Sequence, residues 1–151
     1  MTLLGADRLL EEAFPLIEGR GLGLITNHSG VDGRLRATAD RLHQEAGAEL
    51  GALFGPEHGI RGDAADGEKV GGGRDGRTGV PVHSLYGQAR QPTPEMLKGI
   101  EVMLFDIQDV GVRFYTYLYT MSLAMEACAA QGIPLVVLDR PNPLGGVVLE
   151  G

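Results

Sequence analysis

The sequence predicts an α/β domain, a mostly parallel sheet of about four to five strands with helices on both faces. Two observations carry this. Four short apolar runs, Leu22–Ile25, Leu50–Phe54, Val102–Phe105 and Leu135–Leu138, are unbroken in the way of strands buried on both faces. Segments of helical period separate them, and that alternation is how parallel strands are joined. A third observation concerns function: each run breaks into polar, reactive residues at its carboxyl end, where open α/β sheets bind ligands. The bursts are Thr26-Asn27-His28-Ser29-Gly30, Gly55-Pro56-Glu57-His58-Gly59, Asp106-Ile107-Gln108-Asp109-Val110-Gly111 and Asp139-Arg140-Pro141-Asn142-Pro143.

The elements follow in order. Residues 6–18 have helical spacing, with Leu9, Leu10, Ala13, Phe14 and Ile17 on one side, and Gly19 and Gly21 end them before a strand over 22–27. A second helix is expected over 34–46, with Leu35, Ala39, Leu42 and Ala46 facing inward, followed by a strand over 49–54. The segment Ile60–Gln91 interrupts the alternation. Its stretch Gly67–Gly79 is too glycine-rich for regular structure, while Val80–Tyr86 alternates and suits a short edge strand, where proline is tolerated. Long connections inside a compact domain are uncommon and often functional, and this one leaves directly from Glu57-His58, so it reads as a loop covering the site. A short helix over 93–98 has Thr93 to cap it and Pro94 at its first position. A strand over 101–106, a helix over 113–131 and a strand over 134–139 complete the pattern. The helix over 113–131 has Phe114, Leu118, Met121, Met125 and Cys128 near one stripe and stops at Gly132. Residues Leu144–Gly151 open another apolar element that nothing follows, so residues 1–151 read as one domain of a truncated chain.

A chain of 151 residues with 43% hydrophobic and 22% charged residues is long enough to bury a real core. Its net charge of −7 disfavours nucleic acid, which needs a basic face, but local arginines still admit a small anion. No apolar stretch reaches the roughly 20 residues that span a bilayer, and the start lacks the pattern of a signal peptide. A cytoplasmic location is the expectation. The single cysteine, Cys128, forms no internal disulfide and sits among Ala124, Ala127, Ala129 and Ala130, where burial is its natural role.

Glu57 is the leading chemical candidate. A carboxyl group between Pro56 and His58, just past a buried strand, is placed for general acid work, although it is equally able to cap a loop or to pair with Arg61. His58 is placed to orient Glu57, shuttle a proton or bind substrate, and equally to bond a backbone carbonyl. Asp106 and Gln108 point to one side of a strand, while Asp109 begins the turn and is a possible cap for the helix that follows. Arg113 lies in the first turn expected for that helix, where the dipole favours anions, so it points to a carboxylate partner. Asn27 and Asn142 end strands and are either donors to sugar hydroxyls or ordinary turn residues. Asp139 and Arg140 read as a structural ion pair, with Arg140 able to add a cation to the crevice. Tyr115, Tyr117 and Tyr119 cannot share one helix face, and Tyr115, nearest the strand, is the best sugar-stacking candidate. His28, Glu57, His58 and His83 lack the spacing of a metal motif, and no P-loop, GxGxxG or GxSxG pattern occurs where one would function. No metal or cofactor is implied.

Several long motifs taken together are more specific than any short pattern. They are Ile25-Thr26-Asn27, Phe54-Gly55-Pro56-Glu57-His58-Gly59-Ile60-Arg61-Gly62, Thr78-Gly79-Val80-Pro81-Val82-His83-Ser84-Leu85-Tyr86-Gly87, Phe105–Tyr117 and Val137–Pro143. On these the chain from Gly21 to Gly151 resembles the exo-acting β-N-acetylmuramidase family of bacterial cell-wall recycling, long known only as a domain of unknown function. The resemblance implies a Rossmann-like three-layer sandwich, the N-terminal of two domains, with the active site in the cleft between them. It also implies release of N-acetylmuramic acid from the non-reducing end of peptidoglycan fragments, with a muropeptide or a muramic-acid disaccharide as substrate. Glu57 becomes the general acid, and Asp106, Asp109 or the substrate's own acetamido oxygen supplies the second group. Arg61, Arg113 and Arg140 are the candidates for the lactyl carboxylate. With the second domain absent, the fragment is expected to be weak or inactive, and its uncovered apolar surface to favour self-association. The competing readings are a non-catalytic sugar- or anion-binding module, or an inactive fragment of the enzyme.

Overall fold

The structure, a computed structural model, describes residues 3–45, 47–62, 73–148 and 150. Its sheet has six strands: β1 (Gly21–Thr26), β2 (Glu49–Gly55), β3 (Gly73–Arg74), β4 (Pro81–Ser84), β5 (Val102–Asp106) and β6 (Leu135–Val137). They lie in the order β3-β4-β2-β1-β5-β6, and every pairing is parallel except the antiparallel contact of β3 with β4. Counted in chain order, the parallel strands run 3-2-1-4-5. The chain therefore builds outward from β1 through β2 to β4, then crosses back to lay β5 on the other side. Such a reversal opens a crevice at the carboxyl ends of the two central strands. Thr26 and Asp106 are register partners at that end.

Successive side chains of each strand feed opposite cores, as the pleat requires. Leu22, Leu24, Leu53, Val102 and Leu104 pack with α1 (Gly5–Glu11) and α2 (Thr38–Gln44). Ile25, Ala52, Phe54, Met103 and Phe105 pack with α3 (Tyr117–Ala130). Gly23 belongs to the second set by position, and a Cβ there would lie 2.8 Å from the Met103 Cε and 3.1 Å from the Phe54 ring. Those two large side chains occupy the space that Gly23 leaves.

Several elements differ from expectation, each for a local reason. The helix expected over 6–18 divides into α1 and a short 3₁₀ turn, Phe14–Leu16, because Pro15 has no N–H to continue the ladder. The helix expected over 34–46 starts only at Thr38. Before it, the buried Asp32 carboxylate accepts the backbone N–H groups of Arg34 at 2.8 Å and Arg36 at 2.9 Å, folding residues 32–36 into a turn. Leu35 sits at the tip of that turn with φ +61° and is exposed, not inward-facing. Ala46, also expected to face inward, lies outside the described residues.

Residues 93–98 form a hydrogen-bonded turn, not a helix; the Leu97 N–H donates to the Thr93 carbonyl and the Met96 N–H to the Thr93 hydroxyl. The expected edge strand exists as β4, but it is not the edge, because β3, drawn from the glycine-rich stretch, pairs outside it. Gly67 to Gly72 of that stretch lie outside the described residues, as does the part of the expected covering loop over 63–72. Helix α3 begins at Tyr117, and its inner face is Tyr117, Ala124, Ala127 and Cys128, whereas Phe114, Leu118 and Met125 are exposed. Apolar residues surround this helix on all sides, so periodicity alone could not select the stripe; the small residues win because they let the helix approach the sheet. Cys128 is buried, as expected. Gly132, at φ +68°, ends the helix: its N–H donates to Ala129 and the Ile133 N–H to Cys128, the paired bonds of a Schellman cap. Residues 144–148 are exposed and form neither helix nor strand, and Leu149 and Gly151 of that expected element lie outside the described residues. Among the described residues no helix is long and apolar enough to cross a membrane.

Candidate active site

The carboxyl ends of β1, β5 and β6 are joined by a hydrogen-bonded network. The Thr26 hydroxyl donates to the Asp106 backbone carbonyl at 2.9 Å. Asn27 is buried, and its Oδ1 accepts both the Ser29 N–H at 2.9 Å and the Ser29 hydroxyl at 2.6 Å. Ser29 Oγ in turn accepts the Gln108 N–H at 3.0 Å, and Gln108 Nε2 donates to the carbonyls of Asp109 and Pro141. The Ser29 N–H is a donor, which fixes the orientation of the Asn27 amide. Its Nδ2 is then a buried donor with no partner among the described residues.

Asp106 has no exposed surface, and Arg140 holds both its oxygens, Nε to Oδ1 at 2.6 Å and Nη2 to Oδ2 at 2.9 Å. Nη2 also donates to the Val31 carbonyl. The expected pairing of Arg140 with its neighbour Asp139 is thus replaced by a pair across two strands, because a buried carboxylate needs a hydrogen-bonded counter-charge. Arg140 is not a free cation. Asp109 is exposed and accepts the Gly111 N–H at 3.2 Å, closing the turn after β5; it does not cap α3, which starts eight residues later. Arg113 is exposed, without a partner among the described residues, and precedes α3 instead of lying in its first turn. Asn142 accepts the Leu144 N–H at 2.9 Å in a turn, and its amide fills the space above Gly111, where a Cβ would lie 2.6 Å from Nδ2.

Glu57 stands apart from this network. After β2 the Gly59 N–H closes on the Pro56 carbonyl at 3.0 Å, with His58 at φ +71° and Gly59 at φ +72°. His58 in the left-handed region costs on the order of 1–2 kcal/mol. Ile60 is buried and packs against Gly55, where a Cβ would lie 3.1 Å away, so the strained turn is pinned to the core. It presents Glu57, half-buried, to a cavity of about 510 Å³ shared with Leu85, Tyr86, Arg90, Tyr119 and Leu123. Among the described residues Glu57 makes no hydrogen bond or ion pair, and the alternative pairing with Arg61 does not form.

Arg61 is committed elsewhere. It grips Asp75 through Nε at 3.0 Å and Nη2 at 2.7 Å, and its Nη2 reaches Asp40 at 2.6 Å. Arg77 reaches the same Asp40, and Thr78 donates to Asp75 through its N–H and hydroxyl. The Arg61 guanidinium holds the Asp75 carboxyl well below the usual carboxylate range. Tyr115 packs edge-on against Tyr117 at 4.6 Å, and burial, with Tyr117 and Asp109 nearby, raises its phenol above the ordinary range. Tyr119, not Tyr115, shares the Glu57 cavity. His83 ends up against the Phe54 ring at 5.2 Å, and burial lowers its imidazole below the ordinary range.

Six of the candidates therefore fall into three groups: Asn27, Gln108, Asp106 and Arg140 in the central network, Arg61 in a peripheral ion cluster, and Glu57 in a tyrosine-lined cavity. Tyr86, Arg90 and Tyr119 are not among the candidates that the sequence singles out, because none lies in a burst that ends a long apolar run. For Tyr119 a weak signal exists: the spacing of Tyr115, Tyr117 and Tyr119 requires at least one tyrosine to face away from the core.

Fold and site together define an α/β domain that carries an acid and aromatic side chains at the carboxyl edge of its sheet. Residues 22–151 match the family described as exo-β-N-acetylmuramidase NamZ, N-terminal, and the chain belongs to that family. It is 55% identical over 147 residues to the peptidoglycan β-N-acetylmuramidase NamZ of Bacillus subtilis (strain 168), covering 97% of this chain and 36% of that protein. The chain thus spans about a third of the length of the curated relative it matches. Two crystal structures of DUF1343 family proteins from Bacteroides fragilis NCTC 9343 are similar. One has a TM-score of 0.90 at 50% identity, over 99% of this chain and 37% of that one. The other has a TM-score of 0.76 at 35% identity, over 93% and 35%. The family resemblance read from the motifs is the family found.

Proposed function

We propose that this domain supplies the acid-bearing wall of an exo-β-N-acetylmuramidase, with Glu57 as the general acid that protonates the departing glycosidic oxygen. The observation that carries the reading is the placement of Glu57: an uncommitted carboxyl group on a strained turn, facing a cavity with Tyr86 and Tyr119. Tyrosine faces suit the apolar side of a sugar ring, and their hydroxyls suit its rim. The kinship with a peptidoglycan β-N-acetylmuramidase supports a muropeptide or muramic-acid disaccharide as substrate. The parallel strand order and the two cores support a Rossmann-like three-layer sandwich, and the remaining length of the relatives supports a second domain as the opposite wall.

For the second catalytic group, Asp109 is better supported than Asp106, whose oxygens are both taken by Arg140. The substrate's acetamido oxygen is the alternative nucleophile. Gln108 and Arg140 then act as positioning residues that hold the ends of β5 and β6 together.

The test is Glu57→Gln in the full-length protein. General acid catalysis contributes roughly 10²–10⁴-fold, so kcat on the muramic-acid disaccharide should fall by about that factor. The loss should be much smaller on a 4-nitrophenyl N-acetylmuramide, whose nitrophenolate leaves without needing a proton. An equal loss on both substrates, or none on the disaccharide, overturns the assignment. Wild-type protein that binds muramides without cleaving them would favour the binding-module reading instead.

A further inference from the structure

We infer that Arg90 is the residue that reads the carboxylate of the substrate, and so distinguishes N-acetylmuramic acid from N-acetylglucosamine; this rests on the proposed muramidase reading. The two sugars differ by a lactyl ether on O3 that carries the acid group. A site that selects the acidic sugar needs a cation that its own chain has not neutralised. Arginines line three other cavities, and each is already paired: Arg140 with Asp106, Arg61 and Arg77 with Asp40 and Asp75, and Arg8 with Glu12. Arg90 is exposed on the wall of the Glu57 cavity and has no hydrogen bond or ion pair among the described residues.

Arg90 and Glu57 share that cavity, yet no guanidinium nitrogen comes within 4.0 Å of the Glu57 carboxylate. A gap of more than 4.0 Å leaves room for the sugar, whose scissile oxygen leaves from C1 and whose lactyl ether leaves from C3 of the same ring. The groups that recognise the two must stand apart across C2. Leu85 and Leu123 give the cavity apolar walls and Tyr119 an aromatic one, which lowers the competition from water for a charge-assisted bond. Arginine's planar fork suits a carboxylate better than a lysine ammonium does.

The experiment compares kcat/KM of the full-length protein on three aryl glycosides: the N-acetylmuramide, its lactyl methyl ester and the N-acetylglucosaminide. Wild type should prefer the free acid. Arg90→Ala should lose roughly 10- to 100-fold on the free acid, chiefly in KM, as expected for one charge-assisted bond. It should lose little on the ester, and that retained activity reports an intact fold and acid. Arg90→Lys should recover part of the preference. Equal loss on acid and ester, or a preference for the acid that survives in Arg90→Ala, overturns the inference while leaving the muramidase reading standing. Wild-type protein inactive on all muramides overturns both.

Discussion

The arginines show how local partners decide what a residue is free to do. Arg61 and Arg90 carry the same guanidinium, but Arg61 is enclosed by Asp75 and Asp40 while Arg90 faces a cavity. The Arg61–Asp75 contact fastens the segment after Ile60, only a few positions from Glu57, to the residue that follows β3. Asp75 is buried and its folded-state carboxyl is depressed by Arg61. A depressed acid stabilises the fold above its unfolded value, near 3.9, and loses that contribution as pH falls through the acid range. Urea midpoints measured from pH 7 down to pH 2 should therefore fall steeply for the wild type below about pH 4. Asp75→Asn should start lower at neutral pH and show a flatter acid limb. A variant whose acid limb matches the wild type would show that the clasp adds nothing to stability.

Among the elements, α3 teaches most about what the sequence can disclose. Its existence and its stop at Gly132 were readable, because a glycine after the last helical turn has a definite conformational role. Its inner face was not, since large apolar residues occur all round it and small alanines decide the packing only once the sheet is present. The central strands β1 and β5 read cleanly for the opposite reason: burial on both faces leaves an unbroken apolar run. The turn at Asp32 was illegible because its bonds join a side chain to backbone two and four residues away, which periodicity does not record. Likewise Glu57 is a candidate that its motif singles out, whereas Arg90 becomes one only because the structure places it, unpaired among the described residues, on the wall of the same cavity. Gly132→Ala tests the readable part. Placing alanine at φ +68° should cost about 1–2 kcal/mol, seen as a lowered urea midpoint with an unchanged slope. An unchanged midpoint would mean that the cap does not hold the helix end.

For the whole molecule, the Asp106–Arg140 pair is the long-range fastening. It joins the ends of β5 and β6, 34 residues apart, and through the Val31 carbonyl reaches a third segment 109 residues away. Removing one partner of a buried pair strands the other, so Asp106→Ala should cost roughly 3–5 kcal/mol in global unfolding. The midpoint should shift coincidently by circular dichroism and by tyrosine fluorescence. A loss confined to one probe would mean that β6 detaches alone and that the pair is local.

The pairing of β1 with β5 also sets an order of events in time. Thr26 and Asp106 meet across 80 residues at the carboxyl end of the two central strands. On a ribosome that adds about 5–20 residues per second, β1 and β2 emerge together, yet the middle of the sheet stays unzipped for seconds longer. Until β5 arrives, one flank of β1 is an open template for any passing strand, including that of another nascent copy. The seam at the centre of the finished sheet is thus its most exposed edge while the protein is being made.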